Sequence, residues 1–327
     1  SKKILSVGPR FQAQRLAGGG FIEYIDGGDL SAGDLLDFHR PARRHVAGLD
    51  PVVDHRAVEP QAAGDFGLPH ILSSVARHSP AEVAAVNKGF KIYQLYIRGD
   101  MNWIKPKLDE AKKAGFQALV MTVDAANYGI RDRQLLNEFT RPSADMVGED
   151  RDFQAAMTWE GMAAVKKYWG GPMILKGIAT AADARLAVDH GIEVVYVSNH
   201  GGRELDHGRG TMDMLPEIVE AVAGRAEVWI DGGFVRGTDI VKALCLGARA
   251  VGIARLQAWA LAAGGHPAVA QMLLNLEEEV KNAMGLIGAT SVAGLGKEYL
   301  TRVTPMGPTH EHSAFRHLGD AWAEALR

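Results

Sequence analysis

The sequence predicts an α/β protein, a (β/α)8 TIM barrel with an N-terminal helical segment, on three observations. From residue 71 onward, short β-rich runs alternate with amphipathic stretches: Ile71–Val75, Lys91–Ile97, Gln117–Asp124, Pro172–Ile178, Val194–His200, Glu227–Gly233 and Ala250–Arg255. Strand, helix, strand in repetition means a parallel sheet covered by helices. Second, the intervening stretches carry helix-start signals. Ser79-Pro80-Ala81-Glu82 reads as a capping box with proline near the helix start, and Thr180 with Asp183 offers a similar cap. Third, Thr122, Asp124, Lys176, Ser198, His200, Asp231 and Arg255 fall at or just past the ends of different strands. An open sheet gathers its site at one switch point, whereas a barrel mouth draws on many strand ends.

In chain order, residues 1–50 read as the N-terminal helical segment, 51–300 as the barrel, and 301–327 as a C-terminal tail or helix. The first barrel strand is the weak element. Pro51-Val52-Val53 is the only apolar candidate in the stretch 41–70, so that strand is expected to be short or missing. Arg141–Gln154, with Asp145, Glu149, Arg151 and Asp152, reads as a polar, mobile loop after the fourth strand and a candidate lid.

Composition narrows the function classes. Net charge is -3, with no basic block that would suit nucleic acid or an acidic membrane surface. The single cysteine, Cys245, lies in an apolar run and reads as core filler, with no disulfide and no metal site. No apolar run is long enough to span a bilayer, and the N-terminal apolar run is too short for a secretory signal. A soluble, cytoplasmic protein is the expectation.

The densest chemistry sits in Ser198-Asn199-His200-Gly201-Gly202-Arg203-Glu204-Leu205-Asp206, after the apolar run Val194–Val197. A histidine and an arginine at a strand's carboxyl end, with two glycines between them, let a ligand approach the backbone closely. Read alone, His-Gly-Gly also suits a plain tight turn.

With those residues placed, the chain resembles the FMN-dependent 2-hydroxy-acid oxidases and dehydrogenases: glycolate oxidase, lactate oxidase and mandelate dehydrogenase. The matching stretches are Leu72-Ser73-Ser74, Tyr93-Gln94-Leu95-Tyr96, Thr122-Val123-Asp124, Gly129-Ile130-Arg131-Asp132, Leu175-Lys176-Gly177-Ile178, the Ser198–Asp206 motif and Asp231-Gly232-Gly233. Gly19-Gly20-Phe21-Ile22-Glu23-Tyr24-Ile25 is most similar to the lactate oxidase branch. The resemblance implies oxidation of a small (S)-2-hydroxy acid to the 2-oxo acid, with electrons passed to O2 or another acceptor, by a homotetramer. It implies His200 as catalytic base and Asp124 as its partner. Arg131 and Arg203 would take the substrate carboxylate, since guanidinium forks match carboxylates, with Tyr24 and Tyr96 hydrogen-bonding the substrate. Ser73, Gln94, Thr122, Lys176 and Ser198 would meet the isoalloxazine, and Asp231, Gly233 and Arg255 complete the FMN site. Strand-end Ser, Thr and Asp also cap helices routinely, so each of these alone has a purely structural reading.

The chain departs from the family at the phosphate end. Val235 stands where an arginine is expected, Ala254 replaces a glycine and Leu256 a proline, while Glu204 takes the place of a glutamine. Weakened flavin binding is the expectation. The rival reading is a flavin-poor, non-catalytic barrel used for binding or scaffolding.

Overall fold

The computed structural model describes residues 21–24, 58–127, 129–130, 136–138, 151–205 and 207–303. Eight strands close into one parallel barrel in sequence order: β1 Phe21–Tyr24, β2 His70–Ser73, β3 Lys91–Leu95, β4 Ala118–Thr122, β5 Met173–Ile178, β6 Val194–Val197, β7 Glu227–Ile230 and β8 Ala250–Ile253. The described helices are α1 Val58–Asp65, α2 Pro80–Val86, α3 Met101–Lys113, α4 Arg151–Ala155, α5 Trp159–Trp169, α6 Ala181–Asp189, α7 Thr211–Val222, α8 Gly237–Cys245 and α9 Arg255–Leu286. Among the described residues no helix is long and apolar enough to cross a membrane.

The seven strands expected from residue 71 onward are all present, and the eighth corrects an expectation. β1 is short, as expected, but it comes from Phe21–Tyr24, inside the segment read as helical, and pairs with β2 and β8. Phe21, Ile22 and Tyr24 are strand formers between glycines, a strand signal that the local context hides. Pro51-Val52-Val53 lies outside the described residues.

Helix starts follow the capping logic. Ser79 Oγ accepts from Glu82 N and the Glu82 carboxylate accepts from Ser79 N, a full capping box on α2. Thr180 caps α6 through Asp183 N. The long α9 bends where Gly264 and Gly265 leave helical geometry.

Two apolar layers result. One packs the outward strand faces against the helices, with buried Cys245 among them. The other fills the barrel itself: Ile71, Ile92, Ala118, Val120, Ile174, Val194, Tyr196, Trp229 and Ala250. Because side chains alternate along a strand, the residue two positions after each interior residue also points inward. Ile71 leads to Ser73, Ile92 to Gln94, Val120 to Thr122, Ile174 to Lys176, Tyr196 to Ser198 and Trp229 to Asp231. The apolar floor thus forces a polar mouth at the carboxyl ends.

Candidate active site

At the centre of the mouth, His200 is buried and follows β6 in a left-handed turn, with φ 54° at His200, 66° at Gly201 and 74° at Gly202. A left-handed histidine is strained and persists only where its surroundings fix it. The Ser198 hydroxyl does so by accepting from His200 N at 3.1 Å. His200 Nδ1 lies 3.1 Å from Asp124 Oδ1.

Burial pushes the Asp124 carboxyl up, but the His200 hydrogen bond and the charge of Lys176 outweigh it and leave it below its ordinary value. An ionised Asp124 can only accept, so Nδ1 carries the proton and Nε2 presents its lone pair. Tyr96 Oη stands 3.5 Å from that Nε2 and accepts from Gln94 Nε2 at 3.0 Å. Gly177 makes the approach of Asp124 feasible. Its φ is 104°, at a register shift in β5, and a Cβ there would come within 2.6 Å of the Asp124 side chain.

Lys176 is a buried cation, 3.3 Å from the buried Asp231 carboxylate. It lies beside Thr122 in β4–β5 register, and Thr122 Oγ1, Gln94 Oε1 and Asp231 Oδ1 have no hydrogen-bond partner among the described residues. Buried polar atoms without protein partners call for a ligand or ordered water.

A cavity of about 300 Å³ opens here, lined by Lys176, His200, Arg203, Gly233 and Arg255 among others. The cavity side of Gly233 is open, since a Cβ there would meet nothing within 4 Å. Arg255 brings its guanidinium to 3.1 Å from where a Gly201 Cβ would lie. The residues present therefore fit a flavin. Unsatisfied amide and hydroxyl atoms and a fixed cation suit the heteroatom edge of an isoalloxazine, and open glycine backbone with an arginine suits a phosphate.

Two of the expected flavin contacts also serve local turns. Ser73 Oγ accepts from Val75 N, and Ser198 Oγ from His200 N, so both hydroxyls brace turns while keeping a proton to donate. Glu204 has a structural partner of its own. Its Oε2 accepts from Gly129 N at 2.6 Å and clamps the loop after β4 to the loop after β6. Gly129 has no room for a side chain, because a Cβ would come within 2.4 Å of the Arg203 and Glu204 carbonyl oxygens. Arg131 lies outside the described residues. Tyr24 stands in β1, and its side chain is outside the described set too.

One supporting residue carries no sequence signal. Gln154, the last residue of the stretch read as a mobile loop, lies in α4 and is buried. Its Oε1 accepts from Ile97 N at 2.7 Å and its Nε2 donates to the Thr122 carbonyl at 2.5 Å, joining the ends of β3 and β4. A glutamine in a charged stretch does not announce burial.

Known proteins resemble this chain. The family model for FMN-dependent dehydrogenase matches residues 53–302. The chain is 38% identical over 265 residues to an L-lactate oxidase of Nostoc sp., covering 73% of each. It is 40% identical over 270 residues to a 4-hydroxymandelate oxidase of Amycolatopsis orientalis, covering 74% of this chain and 75% of that one. A mandelate oxidase solved with benzoyl-formic acid superimposes with TM-score 0.68 at 40% identity, covering 76% of both chains. A mandelate oxidase variant solved with a C4a-OH-FMN adduct gives 0.67 at 42% identity, covering 74% and 72%. With the barrel, the strand-end constellation and these relatives in agreement, the chain belongs to the FMN-dependent dehydrogenase family, and its cofactor is FMN.

Proposed function

We propose that this chain oxidises a small (S)-2-hydroxy acid to the 2-oxo acid and passes the electrons to O2 or another acceptor. The observation that carries the reading is the His200–Asp124 pair, with Nε2 directed away from Asp124 toward Tyr96 at the rim of the FMN cavity. His200 Nε2 receives the proton of the substrate 2-hydroxyl, and ionised Asp124 stabilises the imidazolium that forms. Arg203 lines the same cavity and binds the carboxylate, with Arg131 as the second guanidinium and Tyr96 and Tyr24 as hydrogen-bonding partners.

Bound FMN would take up the two electrons and the Cα hydrogen that the substrate loses. Lys176, fixed by Asp231, places a cation where negative charge can develop, and being preorganised it needs no rearrangement during reaction. Gln94, Thr122, Ser73 and Ser198 hold the ring edge, while Gly233 and Arg255 hold the phosphate.

The test is His200→Ala. It should bind FMN as the parent does, while reduction by substrate slows about 100- to 10,000-fold. Near-parental reduction by the variant would remove His200 as the base.

A further inference from the structure

The cavity lining is mixed. Lys176, His200, Arg203, Asp231 and Arg255 are its polar members, and Phe234, Val235, Leu256 and Trp259 its apolar ones. Val235 and Trp259 are each 38% exposed, whereas Phe234 is buried in the core and Leu256 packs against it. The backbone donors that could receive a phosphate at the start of α8 are already engaged by carboxylates. Val235 N and Arg236 N donate to Asp239 Oδ2 at 3.3 and 3.0 Å, and Gly237 N donates to Glu279 Oε2 at 2.6 Å.

Glu279 also holds the Arg236 guanidinium, Nε to Oε1 at 2.9 Å, tying it to α9. What remains for a phosphate is the Gly232–Gly233 backbone, the start of α9 and Arg255. No side chain caps that helix start. Arg255 lines the cavity, with its guanidinium lying toward Gly201.

We infer that this chain distinguishes FMN from riboflavin only weakly, the phosphate being recognised by Arg255 while Phe234, Val235, Leu256 and Trp259 contribute apolar contact indifferent to it. This rests on the reading of the cavity as the FMN site. A phosphate leaving water needs charge-assisted donors in return. One such contact is worth about ten- to hundredfold in affinity, and Val235 supplies none.

The test titrates the full-length protein, freed of flavin, with FMN and with riboflavin separately, following flavin fluorescence at low and high salt. FMN should bind no more than about a hundredfold more tightly than riboflavin, and the gap should narrow with salt. Val235→Arg should tighten FMN about ten- to hundredfold and leave riboflavin unchanged. Where that variant fails to fold, Arg255→Ala serves instead and should bring the two flavins to within about threefold.

A preference for FMN beyond about a thousandfold in the unaltered chain would overturn the inference and leave the FMN site standing. So would equal tightening of both flavins by Val235→Arg. Failure to bind either flavin would overturn the inference together with the reading of the cavity.

Discussion

The two sides of the barrel mouth are built on opposite plans. On the side made by β3 to β6, strand alternation aims polar groups inward and several are held by protein partners: His200 by Asp124, Tyr96 by Gln94, and the ends of β3 and β4 by Gln154. Buried and mutually bonded, these groups have fixed orientations, which proton transfer requires. On the side made by the β7 loop and the start of α9, Val235 and Trp259 expose apolar side chains beside Arg255, and the nearby carboxylates cap a helix within the protein. The comparison teaches that one scaffold can hold its chemistry tightly while leaving the grip on its cofactor's far end loose.

The largest expected break falls on the ordered side. Asp124→Asn removes the charge that fixes the His200 tautomer and should slow substrate reduction of bound FMN about 100- to 10,000-fold, with FMN affinity little changed. Equal loss of FMN affinity would mean that Asp124 serves the cofactor instead.

Next in size is a contrast of ion pairs. Lys176→Met leaves Asp231 buried and uncompensated and should cost about 3–5 kcal/mol in urea unfolding. Arg236→Ala breaks the exposed pair on the loose side and should cost about 1 kcal/mol or less. Similar costs would erase the distinction between the two sides.

Gly177→Ala forces a Cβ against Asp124 at a left-handed position and should cost about 1–3 kcal/mol and slow reduction together. Lost stability with an unchanged reduction rate would show that the Asp124 position does not depend on the bulge.

A pH-dependent effect concerns the floor, far from either side. His70 at the start of β2 is pushed down to about 3, first by burial and then by the charge of Lys91. Its folded value lies below its unfolded one, so its contribution is fully present above the unfolded value of about 6.5 and is lost as pH falls toward 3. Stability should decline by up to about 1.4 kcal/mol per pH unit through that window on this account. His70→Gln should flatten the slope, and an unchanged slope would assign the acid sensitivity elsewhere.

Much of this was legible in the sequence, for reasons that can be named. Lys176, Thr122, Ser198 and Asp231 follow apolar strand residues by two positions, and that period fixes their side of the sheet whatever the tertiary detail. His200 announces itself through the glycines that its turn needs. β1 was not legible where it lies, because a four-residue strand in the glycine-flanked 21–24 stretch has little local signature, and its partners β2 and β8 are distant in sequence. The roles of Gln154 and Glu204 are hidden for a related reason. Each is polar in a polar stretch, and only tertiary placement reveals that Gln154 joins two strand ends and Glu204 ties two loops.

The most direct test of the central claim is an anaerobic titration of the FMN-loaded protein with lactate, glycolate and mandelate, watching the visible flavin band. At least one of these acids should bleach the band, and readmitting air then shows whether O2 accepts the electrons. A protein that holds FMN while none of the three bleaches it would contradict the proposed oxidation of small 2-hydroxy acids.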